Sequence, residues 1–366
     1  MLYFNESNSF FEFSAIDSMQ YHEFALDITE GGFWDGIFNY LKNEDVEDFG
    51  AVLFTSLAYI IYPSPITFNI FNVLAGMITV IYAYKLSKNF MSKEYAFMAS
   101  TVYGLSSFVI YLYSTGMKET FFAMFVVLFF EKLNKFLNTK KVINLFLCLL
   151  YLSVVYFFRP AVMFMLIASV LLAILFSYRK NVLNILVSGA IVFFSISFLL
   201  KDFQALTDRY YTNEDAIAER VSGAGVTTDA FSYVAAFLSG TIGPLPTYSP
   251  LKGRLQQYFY SFGLGLKVFI SIFFWLGLYM VFKNKNITLI SICTFVLFET
   301  ISLSAILQSF ELRFSSPHLI LIYIISFYWL YKKRERDKIK IFERKIISLY
   351  FIMSALMIIY WNSRLF

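Results

Sequence analysis

From residue 66 onward the chain repeats one pattern: apolar runs of about 20 residues, with basic clusters at alternate connections. The runs are 66–84, 95–112, 117–130, 142–157, 160–177, 182–200, 264–282, 287–307, 317–331 and 346–361. A helix rises about 1.5 Å per residue, so a run of this length matches the thickness of a bilayer's hydrocarbon core. Lys85, Lys88 and Lys93 mark one connection, and Lys132, Lys135, Lys140 and Lys141 the next such one. Arg179 and Lys180, Lys283 and Lys285, and the run 332–345 continue the series, which together holds most of the 30 Lys and Arg residues. If the spans alternate, all of these fall on one side, as cytoplasmic loops do. Charged residues make up only 15% of the chain against about 25% in soluble domains, which excludes a soluble enzyme. The expected fold is therefore all-α: a polytopic transmembrane helix bundle of about ten spans.

Two regions depart from the pattern. Residues 1–49 carry eleven Asp or Glu against the single Lys42, with no signal-peptide pattern. They read as an external acidic segment containing an amphipathic helix around 17–25, in which Asp17 and Tyr21 share a face. An acidic start on the outside normally follows a spanning helix, so a first helix is expected to be missing from this chain. The bundle then occupies 50–366. Its first part, 50–62, is too short to span and ends at Pro63-Ser64-Pro65, so it reads as a membrane-skimming external helix. The long polar stretch 201–262 reads as an external loop, and loops of that length in compact bundles are usually functional.

Ionisable residues at the edges of apolar runs point to the chemistry, because they are costly there unless they face a cavity, a partner or a headgroup. Lys118-Glu119 separates two runs, and Arg159 sits between two others. The external set then comprises carboxylates and imidazoles, chiefly from the N-terminal segment, and cations from the bundle boundary. Transfer from a lipid-linked phosphate or diphosphate needs both kinds: a base for the acceptor hydroxyl and fixed cations for the departing phosphate. Asp17, His22 and Glu119 are the catalytic candidates. Tyr21, Lys118, Arg159, Arg209, Arg220, Arg313 and His318 are the substrate-binding candidates, with Arg159 as a fork for phosphate and Lys118 as a point charge. Glu119 is the only nearby carboxylate that the sequence offers either cation. Glu299 lies inside a run with no partner that the sequence can name. Cys148 and Cys293 read as small core residues.

Several short motifs carry a resemblance. Asp17…Tyr21-His22, Tyr62-Pro63-Ser64-Pro65, Asn72-Val73-Leu74-Ala75-Gly76-Met77…Tyr84-Lys85-Leu86, Lys118-Glu119 and Arg159-Pro160 occur in that order. Gly243-Pro244-Leu245-Pro246 and Arg313-Phe314-Ser315-Ser316-Pro317 follow. Together, over residues 17–330, they resemble membrane glycosyltransferases of the C superfamily, most closely the O-antigen and capsule repeat-unit polymerases. The resemblance implies a polyprenyl-linked glycan donor, a site on the external face of a bacterial inner membrane, and inversion at the transferred sugar. It implies that Asp17 serves the acceptor or a metal, and that Lys118, Arg159 and Arg313 bind the polyprenyl phosphate. A paired-acid motif beside Asp17 is lacking, so these residues require no cofactor, although a divalent metal stays open. Expected partners are the glycan lipid, membrane lipids and a chain-length regulator protein, with no nucleic acid.

Three rivals stand beside this reading. One is a glycosyltransferase using a polyprenyl-monophosphate-linked single sugar. The second is a lipid-linked glycan flippase or transporter, which calls for ionisable residues at mid-membrane depth and for internal symmetry. The third is a receptor or scaffold.

Overall fold

In the computed structural model the described residues are 16–43, 48–177, 230–248, 255–305, 316–335 and 340–363. All their regular structure is helical. In chain order the helices are α1 (Ile16–Glu30), α2 (Phe33–Asn43), α3 (Phe49–Tyr59), α4 (Pro65–Ser87) and α5 (Lys93–Gly104). Then come α6 (Ser107–Ser114), α7 (Glu119–Thr139), α8 (Val142–Phe158), α9 (Pro160–Ser177) and α10 (Ala230–Thr241). The last four are α11 (Leu255–Asn284), α12 (Ile287–Ala305), α13 (Ser316–Glu335) and α14 (Ile341–Ser363). Five candidate spans are long and apolar enough to cross a membrane: Pro65–Ser87, Pro160–Ser177, Ser261–Asn284, Ile287–Ser304 and Ile341–Ser363. This is a helical chain consistent with a multi-pass membrane protein, and the expected ten spans are not reached among the described residues.

The shortfall has physical causes. The run 95–112 is not one rod: α5 and α6 meet at a 57° bend. Ser106 leaves helical geometry there (φ −61°, ψ 127°) just after Gly104, and α6 restarts at Ser107. The bend admits α11, because a Cβ on Gly263 would stand 2.8 Å from the Phe108 backbone nitrogen and closer still to Ser106 Oγ. The Gly263 N–H donates to Ser107 Oγ at 2.9 Å. α8 has 17 residues, short for a span. The run 182–200 lies outside the described residues.

The expected spans 117–130 and 317–331 are helical, as α7 and α13, and they form the centre of the bundle. α13 is buried without a break from Ser316 to Trp329, and α7 from Glu119 to Glu131. A helix enclosed by other helices does not face lipid, so it tolerates charges at its ends that a lipid-facing helix would not. α4 and α14 are the opposite case. α14 keeps Leu349, Ile352, Leu356 and Ile359 exposed along its length, and α4 keeps Ile66, Ile70 and Leu74 exposed. Such stripes suit hydrocarbon.

The bundle has two unlike poles. At one, Lys85 and Lys132 stand 4.3 and 6.0 Å from the Tyr82 ring centre, and Tyr95 meets Tyr331 at 5.8 Å. Asn284 donates to the Tyr328 hydroxyl at 2.8 Å, and Thr288 to Asn134 at 3.2 Å. Glu131, almost fully buried, lies 2.6 Å from Lys135 Nζ and 3.2 Å from Lys132 Nζ. Basic residues that alternate in the sequence thus gather at one end, as the alternating pattern requires. The other pole joins α1–α3, the α6–α7 turn and the α8–α9 junction.

Candidate functional site

The site is built at the second pole on the first three helices. α1 confirms the expected helix around 17–25, and Tyr21, Ala25 and Ile28 form its buried stripe. α3 is 11 residues long and wedges between α7 and α8. Its Phe54 stacks on Phe121 at 4.9 Å and on Phe158 at 5.8 Å, and Gly50 leaves room for the Phe158 ring. The wedge fixes where Asp48 and Tyr59, at its two ends, meet the other elements.

The α6–α7 turn supplies the second wall. Gly116 adopts φ +66°, a conformation nearly free of cost only for glycine. A Cβ there would also stand 3.0 Å from Asn69 Oδ1. The turn draws Met117, Lys118 and Glu119 into the protein, where Lys118 is 8% and Glu119 2% exposed. One turn earlier Tyr113 sits over Gly76 and donates to the Tyr103 hydroxyl at 3.2 Å.

Lys118 does not stand ready for a phosphate, as the sequence suggested. Its ammonium forms an ion pair with Asp48, seventy positions earlier, and the Tyr21 hydroxyl donates to the same carboxylate oxygen at 3.4 Å. Asp48 keeps 44% of its side chain exposed while Lys118 keeps 10%, so the pair opens to solvent on its acidic side. The expectation that Glu119 alone could serve as a local carboxylate is therefore corrected. Neither carboxylate oxygen of Glu119 has a hydrogen-bond partner among the described residues. An unsatisfied buried acceptor costs free energy, of order 1–3 kcal/mol or more when charged. Such a group marks where an incoming hydroxyl or cation gains most.

His22 lies on the same stretch of α1 and faces α3. Its Nδ1 is 2.5 Å from the Tyr59 hydroxyl, with the rings edge to face at 5.5 Å. Burial lowers the His22 pKa, with Glu23 opposing the shift, and burial raises that of the Tyr59 phenol. In the tautomer with its proton on Nε2, a neutral imidazole accepts from the phenol at Nδ1. Ser18, His22, Tyr59, Phe68, Asn69 and Thr115 line a small, shallow cleft, which Pro65 and Gly116 complete.

The remaining expected residues divide. Asp17 is on α1 one turn before Tyr21, and its side chain is not among those described. Arg209, Arg220 and Arg313 lie outside the described residues. Arg159 is half-buried and extended (φ −161°, ψ 100°) between α8 and α9. It follows Phe158, so the Phe54 cluster ties it to the same pole. His318 is not with this group. It is fully buried at the start of α13, with Nδ1 2.9 Å from Glu299 Oε2 and Nε2 3.5 Å from the Gly240 carbonyl. Glu299 thus gains the partner its sequence did not name.

Sequence reading passed over two residues of consequence. Tyr59 carried no signal beyond an aromatic at the end of an apolar run. Lys267 carried one that went unused: a lone Lys inside a span. It is 1% exposed, and its ammonium donates to the carbonyls of Gly240 (3.0 Å) and Gly243 (2.6 Å), with Ser239 at 3.5 Å. Those carbonyls end α10, where a helix presents its negative pole. Lys267, Glu299 and His318 therefore hold the 240–243 turn from two sides. No three His, Cys, Asp or Glu side chains among the described residues converge as a metal-ligand set. Compared with protein families, with curated proteins and with solved structures, the chain has no match.

Proposed function

We propose that the chain is a membrane glycosyltransferase that uses polyprenyl-diphosphate-linked sugar donors at the pole opposite its basic end, as a repeat-unit polymerase of a surface polysaccharide. The observations that carry the reading are the Tyr21–Asp48–Lys118 cluster and, at the same pole, the His22–Tyr59 pair with its cleft, together with a buried Glu119 that has no hydrogen-bond partner among the described residues. In this reading the acceptor hydroxyl meets a carboxylate, either Asp48 or Glu119, which takes its proton as the bond to the sugar forms. A donor phosphate draws Lys118 away from the half-exposed Asp48, so one exchange of partners both binds the leaving group and frees the base. Arg159 supplies the forked contact.

The test is turnover in liposomes with a purified polyprenyl-diphosphate-linked oligosaccharide. A ladder of longer glycans with release of polyprenyl diphosphate is expected. Arg159→Lys should lower donor use without rescue by added acceptor, because the two-bond fork is lost. Turnover only with a monophosphate-linked single sugar would move the reading to that class, and no transfer with either donor would overturn it. The transporter rival gains one observation, the trio of ionisable side chains Lys267, Glu299 and His318 buried inside the bundle. Movement of a labelled glycan lipid between leaflets without transfer would favour it.

A further inference from the structure

α2 divides into three faces rather than two. At about 100° per residue, Ile37 and Tyr40 lie together, and they are the buried pair, 6% and 8% exposed. Roughly a quarter turn away run Trp34, Phe38 and Leu41, at spacings of four and three, which are 69%, 67% and 37% exposed. Beyond them lie Asp35, Asn39 and Lys42, all exposed and polar. One face thus packs inward on α1 and α3, one is polar, and one is apolar and uncovered. A helix wholly in water has no use for that third face, which is aromatic and aliphatic along its whole length.

We infer that the Trp34–Phe38–Leu41 face is seated in the headgroup–acyl boundary of the membrane, so that α2 anchors the acidic segment to the lipid surface. Position beside the ends of the candidate spans argues for lipid over a protein partner. α2 packs on α3, and α3 ends in the exposed run Leu57, Ile60, Ile61 and Tyr62. Ser64 then caps α4, accepting from the Ile66 N–H at 3.4 Å, and the exposed apolar stripe continues along this span as Ile66, Ile70 and Leu74. The exposed end of α3 thus leads into a stripe made for hydrocarbon, while α2 meets the start of α3: the Tyr40 and Phe49 rings lie 6.0 Å apart and Phe49 meets Phe157 at 5.4 Å, next to the start of the candidate span Pro160–Ser177. Trp, Phe and Tyr favour this boundary, where an apolar body and a wet edge are both satisfied. A polar face beside an apolar one is the pattern of helices that lie in the interface plane. The anchor would hold Tyr21 and His22 at a fixed height over the cleft.

Spin labels at Phe38→Cys and Asn39→Cys of the full chain in liposomes test this. Both positions are exposed, so neither label disturbs the core, and both native cysteines are buried. Label 38 should collide with dissolved oxygen several-fold more than with a water-soluble nickel chelate, and label 39 should show the reverse order. Equal access of the chelate to both positions would overturn the proposal, since α2 would then stand in water. Protection of label 38 from both quenchers, with broadening that grows with protein density, would also overturn it in favour of a second copy.

Discussion

Glu119 and His22 are the single side chains at which the proposed transfer and the docking of α1 are most open to test. Glu119→Gln keeps the shape and removes a buried carboxyl group that has no hydrogen-bond partner among the described residues. Thermal stability should hold or rise, while transfer should fall by about 10² or more. Unchanged turnover in that variant would reduce Glu119 to a packing residue. His22 adds a dependence on pH. Its folded pKa lies below the ordinary 6.5, so the unfolded chain binds its proton first as pH falls. The docking of α1 is then at full strength above 6.5 and weakens as pH drops through the folded value. Hydrogen exchange of the α1 amides should accelerate as pH falls from about 7.5 to about 5.5, the range that brackets an ordinary imidazole pKa near 6.5. His22→Phe should abolish that acceleration, and its persistence would place the pH sensor elsewhere.

The bends and wedges that place the site belong to elements, and the α5–α6 bend is the most open to test. Gly263→Ala would press a methyl against the Phe108 backbone nitrogen at 2.8 Å, a clash that no side-chain rotation relieves. Overpacking of this kind costs about 1–3 kcal/mol, so the unfolding midpoint should drop measurably. Ser106→Gly alone should not restore it, because the backbone contact remains. An unchanged midpoint for Gly263→Ala would mean that α6 and α11 do not approach so closely. The wedge α3 follows the same logic, since its three aromatic contacts through Phe54 come from helices that are distant in sequence.

Across the whole molecule the two poles predict a sidedness. Tyr62, exposed at the α3–α4 corner, and Lys140, exposed after α7, lie at opposite ends. A cysteine at 62 should react with a membrane-impermeant reagent in intact cells, and one at 140 only after lysis. Labelling of 140 alone would invert the molecule and remove the external site. The buried native cysteines keep the background low.

Sequence alone was enough for the solvent and the axis. Apolar runs with alternating basic ends demand helices in hydrocarbon, because lipid offers the backbone no other hydrogen-bond partner. That demand is local, so α4, α9, α11, α12 and α14 were legible from length and composition. The short helix 50–62, the helix around 17–25, and the gathering of bases at one pole were legible for the same reason. The break at 105–106 was not, because Gly and Ser there break the helix only where α11 must come close. Nor were the partners. Asp48 and Lys118 are seventy positions apart, His22 and Tyr59 thirty-seven, and Glu299 and His318 nineteen. No periodicity links such pairs. Which charges neutralise one another, and which is left unmatched, depends on how helices cross, and tertiary packing alone decides that.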